Sequence, residues 1–177
     1  MIVNNEPAKV RDLDNLGFDA WLALWKGEIV VARALDRDLK ANGCQPLTAC
    51  EVLSRLGAAP QGRLQMHELA RRCFVSKSGI SQLVTQLQRQ GLVERGGDAD
   101  NLRITYAVLT DRGRDELGRS APIFLGGVGR YFSQYLDEDE MRSLVTIMNK
   151  VLLGHGQTVE APDPRGAAEN LYEIIEE

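Results

Sequence analysis

Between Ser76 and Gln90 the sequence sets out a row of short hydroxyl and amide side chains suited to bonding with another molecule's polar edges. Wound as an α-helix at about 100° per residue, Ser78, Ser81, Gln82, Thr85, Gln86 and Arg89 gather on one side, with Ile80, Leu83, Val84 and Leu87 opposite. The polar side holds no acid, whereas an ordinary solvated helix face draws on Glu and Lys for propensity and i,i+4 pairing. Groups that donate and accept hydrogen bonds, with one guanidinium, suit nucleic-acid base edges and phosphates; Gln matches adenine, and hydroxyls are less selective. Ser76 is a good cap residue for this helix, and Lys77 in its first turn is placed to meet phosphate.

The elements that must position this face are legible on either side of it. Phe18, Trp21, Leu22, Trp25, Ile29, Ala32, Leu35 and Leu39 recur at steps of three and four, which predicts one long amphipathic helix over about 17–42. Thr48 followed by Glu51 reads as a capping box for a second helix that ends at the Gly57 to Pro60 break. A short third helix spans roughly Gln65 to Cys73, and the polar-faced fourth stops at Gly91. The pattern then changes to period two: Leu102, Ile104, Tyr106 and Val108 on one side, Arg103, Thr105 and Ala107 on the other, with Leu92 to Arg95 as the partner strand. Thr110 caps a fifth helix, expected to be interrupted or kinked around Pro122 and the cluster Gly126, Gly127 and Gly129, and Asp137 caps a sixth. Short helix, turn, capped helix and hairpin in this order make a winged helix-turn-helix, whose second helix enters the DNA major groove.

The formal charge of −4 looks unsuited to a polyanion partner, but its distribution resolves the conflict. From 157 to 177 six acids face Arg165 alone, a net of −5, whereas from 63 to 95 six bases face only Glu68 and Glu94, a net of +4. With 44% hydrophobic and 26% charged residues in 177, the chain has the proportions of a folded domain with an appended element, not of a disordered one. No apolar run reaches the roughly 18 residues of a membrane span, and the first residues lack a secretory pattern, so the expectation is a cytoplasmic protein. Cys44, Cys50 and Cys73 form no CxxC pair and read as plain thiols; His67 and His155 are too far apart in sequence to suggest a zinc site. No GxxxxGK[ST], GxSxG or HExxH run occurs, so neither an enzyme nor a cofactor is expected.

The run Leu69-Ala70, Ser76 to Val84, Leu87, Gly91 to Arg95, Arg103, Leu109-Thr110 and Gly113 resembles the MarR family of transcriptional regulators, over about residues 18 to 153. Two positions depart from the family pattern: Asn101 stands where an Asp usually braces the wing arginine, and Gln82 where an Arg is frequent. The resemblance implies a symmetric homodimer joined through the first, fifth and sixth helices, with two winged domains on a pseudo-palindromic double-stranded DNA site. It assigns Arg95 and Arg103, flanking the wing, to minor-groove or phosphate contacts. It also implies a ligand-released repressor whose small aromatic effector sits between the dimerisation and DNA-binding parts. Trp21 and Trp25, one helical turn apart, are candidates to line that pocket, although packing anchors are the plainer reading.

The expected fold is thus mainly α (α+β): a winged helix-turn-helix over 47–109 with a two-stranded β wing, and a helical dimerisation region over 17–46 and 110–156. An arm precedes them (1–16) and an acidic tail follows (157–177). The tail admits three readings: a disordered solubility segment, a dimer contact through Leu171, Ile174 and Ile175, or a decoy for the basic reading surface. The rival function is a winged-helix module that uses the same polar face to bind a protein.

Overall fold

Helices with one apolar face each close over one side of a small sheet, and their meeting makes the main core. The computed structural model describes residues 15–97, 104–157 and 159. In chain order the elements are α1 (Asn15–Ala41), α2 (Leu47–Gly57), β1 (Arg63–Gln65), α3 (Met66–Arg72), α4 (Lys77–Arg89), β2 (Val93–Gly97), β3 (Thr105–Leu109), α5 (Asp111–Tyr131) and α6 (Glu138–Gly154). The core joins Val52, Leu53 and Leu56 of α2, Leu69 of α3, and Ile80, Val84 and Leu87 of α4 to Leu64, Val93, Ala107 and Leu109 of the sheet. This is a mainly α winged helix-turn-helix, as the sequence suggests.

Among the described residues the sheet has three strands, β1 joining the two of the wing, in the order β1-β3-β2. Both pairs are antiparallel, with Val93 opposite Leu109, Gly97 opposite Thr105, and Leu64 opposite Ala107. The buried side of β3 is Ala107 and Leu109, the reverse of what the alternation of larger apolar residues suggests. Tyr106 turns to the outer side, where the Arg63 guanidinium stacks 4.3 Å from its ring centroid and Gln65 Nε2 donates to its hydroxyl at 3.3 Å. A cation–π contact and a hydrogen bond let an aromatic ring stay half-buried on a wing's outer face.

Four local expectations are corrected. Helix α1 starts at Asn15, two residues inside the segment read as an arm; residues 1–14 lie outside the described ones. Thr48 does not cap α2, which begins at Leu47 after Pro46; instead the Leu47 amide donates to Asp36 Oδ1 of α1 at 3.1 Å, so a tertiary contact replaces the local cap. Helix α5 runs unbroken through Pro122, with Leu117, Ser120 and Ala121 buried just before it and Gly127 buried one turn beyond. A Cβ on Gly127 would stand 2.6 Å from Leu35 Cδ2, so this glycine serves the close approach of α1 to α5. Finally, Trp21 and Trp25 are 57% and 51% exposed, and so do not anchor the chain's own core.

Helices α1 and α5 are also locked by polar groups. The Tyr131 hydroxyl donates to Asp38 Oδ2 at 2.6 Å, and Arg130 Nη2 reaches the same oxygen at 3.0 Å. By contrast, α6 buries none of its residues within the chain; Val145, Ile147, Val151 and Leu153 are each at least half exposed. With Phe18, Trp21, Leu24 and Trp25 of α1 they give two helices large apolar faces that the winged core does not cover.

Candidate nucleic-acid interface

The cap on α4 forms as its sequence dictates: the Gly79 amide donates to Ser76 Oγ at 3.1 Å, and the Ser76 and Ser78 hydroxyls are 3.0 Å apart. Ile80, Val84 and Leu87 lock one side of the helix into the core, which fixes the opposite side outward. On that side Lys77, Gln82, Gln86 and Arg89 are exposed, while Ser81 and Thr85 are half-buried.

The difference between these two groups has one cause. Arg95, on β2, extends along α4, and its Nη2 donates to Ser81 O at 3.1 Å, Ser81 Oγ at 3.2 Å and Thr85 Oγ1 at 3.0 Å. Thr85 in turn donates to Ser81 O at 2.7 Å. Of the ten residues singled out for DNA contact, the structure therefore brings Ser81, Thr85 and Arg95 together as a brace between wing and helix, and sets Lys77, Gln82, Gln86 and Arg89 beyond it. Arg103 lies outside the described residues, as does the rest of the segment from 98 to 103.

Two concavities flank the brace. An open cleft of about 440 Å³ is bounded by Lys77, Ser81 and Arg95 together with Gln65, His67 and Thr105. A second, about 370 Å³, runs along Ser81, Gln82, Thr85, Gln86 and Arg89. Sequence reasoning missed Gln65, His67 and Thr105, because their nearness to Lys77 arises only when β1 and β3 pair. The cleft opens beside the N-terminus of a helix, where free amides and the helix dipole favour an anion, and Lys77 and Arg95 add positive charge.

The other sequence candidates fall elsewhere. Cys44, Cys50 and Cys73 are buried free thiols; burial pushes the pKa of Cys50 and Cys73 up to about 11, and raises that of Cys44 too. Their thiolates are thereby disfavoured at neutral pH. Among the described residues no group of three or more His, Cys, Asp or Glu could hold a metal ion, and no helix is long and apolar enough to cross a membrane.

The chain's similarities to known proteins fall on the same region. A MarR family model matches residues 46–104, from the start of α2 into the wing. The chain is 30% identical over 114 residues to YkoM, an HTH-type transcriptional regulator of Bacillus subtilis, a match covering 64% of this chain and 71% of that protein. Among solved structures it is similar to Sco3205, a MarR family transcriptional regulator from Streptomyces coelicolor in complex with DNA, at 29% identity and a TM-score of 0.75 over 80% of this chain and 92% of that one. It shares its fold with AbsC of the same organism, at 24% identity and a TM-score of 0.76, over 82% and 98% of the two chains.

Proposed function

The chain belongs to the MarR family of transcriptional regulators, not to a family of enzymes, and on that premise we propose that it binds a specific double-stranded DNA site as a homodimer. The observation that carries this reading is the row Lys77, Gln82, Gln86 and Arg89, exposed on a capped helix that core packing and the Arg95 brace hold in one orientation. Gln82 and Gln86 read base edges in the major groove, and Lys77 and Arg89 meet phosphates. Ser76 and Ser78 hold the helix start, where its amides face phosphate; Ser81, Thr85 and Arg95 set the angle of the wing. Arg103 contacts phosphate or the minor groove. The similarity to Sco3205, whose structure is in complex with DNA, supports this assignment.

Dimerisation is supported by the apolar faces of α1 and α6, which a second copy would cover. Within this proposal Trp21 and Trp25 belong to the subunit junction, and a small aromatic ligand lodged against them would change the spacing of the two reading helices and release a repressed site. The test is the shift of a duplex spanning the promoter upstream of the protein's own gene, measured across salt. DNA binding requires a steep fall of affinity with salt, through counterion release. A duplex that never shifts, or shifts equally at all salt concentrations, would instead favour the protein-interaction reading.

A further inference from the structure

The cleft of about 440 Å³ beside α4 gathers cationic groups from three elements: Lys77 of α4, Arg95 of β2 and His67 of α3. Gln65 and Thr105 add neutral polar groups, and no acid is among the described residues that line it. Its walls are already fixed within the chain. Arg95 is tied to Ser81 and Thr85, and Gln65 Nε2 donates to the Tyr106 hydroxyl at 3.3 Å. By contrast, among the described residues the side chains of His67 and Lys77 have no hydrogen-bond or ion-pair partner. His67 is exposed in the first turn of α3, and of the lining residues it alone is of a type whose charge changes near neutral pH.

The charges around His67 come from few places. Lys77 and Arg95 share the cleft with it, while β1 and β3 contribute only Gln65, Ile104 and Thr105 there. Arg63 and Tyr106 stack on the outer side of the sheet, and α2, which also packs against α3, puts no residue in the cleft. On its own helix Glu68 lies 2.7 Å from Arg72 and 3.9 Å from Arg71. The charges that share the cleft with His67 are therefore both positive.

We propose that this cleft seats a backbone phosphate of the bound DNA and that His67 takes up a proton as it does so, which makes binding tighter at lower pH. This role rests on the DNA-binding reading above and adds a regulating residue to it. In the free protein Lys77 and Arg95 oppose a third positive charge. A phosphodiester brings a negative charge that reverses the balance, and imidazolium donates to its oxygen in a charge-assisted hydrogen bond. The proton comes from solvent. Linkage is reciprocal, so a proton gained on binding raises affinity as pH falls. Carboxylates, amines and guanidiniums of ordinary pKa hold their charge between pH 6 and 8, which leaves histidine to titrate in that window.

Anisotropy titrations with a mixed-sequence duplex of about 30 base pairs at low salt test it, because phosphate contacts need no particular sequence. The parent's affinity should rise about ten- to thirtyfold from pH 8 to pH 6, one proton being taken up per protomer. His67→Gln should bind at both pH values about as the parent does at pH 8. His67→Lys, with a fixed charge, should bind at pH 8 about as the parent does at pH 6. His155→Gln, which alters the only other histidine, should keep the parent's pH response. Binding that does not change with pH, a pH response that survives His67→Gln, or His67→Lys binding at pH 8 no tighter than His67→Gln would overturn this proposal alone. No binding at either pH would overturn the DNA-binding reading and this role with it.

Discussion

Arg95 of the wing and Thr85 of the reading helix are joined by a 3.0 Å hydrogen bond from guanidinium Nη2 to the threonine hydroxyl. A residue whose sequence position suggests a DNA contact thus bonds, while exposed, to groups of its own chain, fixing how the wing stands against the helix.

Arg95→Ala removes that brace and should lower stability by about 1 kcal/mol, the net worth of a hydrogen-bonded group near the surface. It should also weaken DNA binding while leaving the salt slope of affinity unchanged. Lys77→Ala, by contrast, should reduce that slope by about 1 per protomer, as loss of a phosphate contact does. Duplex titrations at several salt concentrations compare them. A slope that falls as much for Arg95→Ala as for Lys77→Ala would assign Arg95 to phosphate instead.

Tyr131→Phe should loosen α1 from α5. The Tyr131 hydroxyl, through its hydrogen bond, and then the nearby Arg130 and Arg37 hold the Asp38 carboxyl below its ordinary pKa. A depressed folded pKa contributes stability that is present above the ordinary value near 3.8 and is lost as pH falls through the lower folded one. The variant should therefore be less stable at neutral pH, lose less further stability in that acid window, and unfold at a higher pH on acidification. Urea melts from pH 2 to 7 measure this; superimposable curves would show that the lock contributes nothing.

Gly113→Ala should be among the most damaging single-methyl changes in the chain. A Cβ there would stand 2.2 Å from the Leu92 carbonyl oxygen and 2.7 Å from Leu109 Cδ1, so the start of α5 could no longer seat against the base of the wing. Overpacking of this kind costs about 1–3 kcal/mol, more than the helix propensity gained by replacing glycine. A thermal melt equal to that of the parent would contradict the packing.

The buried thiols predict an alkaline limit. With folded pKa values raised to about 11 for Cys50 and Cys73, the folded state retains protons that the unfolded chain releases near 9. Their contribution is complete below pH 9 and is lost as pH rises through 11, so stability should fall across that window and fall less in Cys50→Ala with Cys73→Ala. At pH 8 iodoacetamide should modify Cys50 and Cys73 of the folded chain about a hundredfold more slowly than an unperturbed thiol, in keeping with their smaller thiolate fraction. Modification at the rate of the unfolded chain would refute this.

What the sequence disclosed follows the range of the interactions involved. Helix α4 was legible because its cap, its period and its polar face are all local: Ser76, Ile80, Val84, Leu87 and Gln82 lie within four turns. Asp137 announced α6 for the same reason, and the structure completes its capping box with Glu140. Contacts across the chain were hidden. Asp36 supplanted Thr48 at α2 from eleven residues away. Strand β1 is only Arg63–Gln65, too short for alternation to register, and exists through its pairing with β3. The buried side of β3 could not be told from its apolar residues, because Tyr106 is sheltered by Arg63 from another strand. Arg95 carries no signal in its type or position that it bonds to α4 rather than to a ligand.

The most direct measurement is selection of bound duplexes from random DNA by the parent chain and by Gln82→Ala and Gln86→Ala. The parent should enrich an inverted repeat with half-sites about one helical turn apart, and each substitution should relax preference at one symmetric pair of positions while keeping the spacing. An unenriched pool, or the same motif recovered unchanged from both variants, would contradict the assignment of the exposed face of α4 to sequence reading.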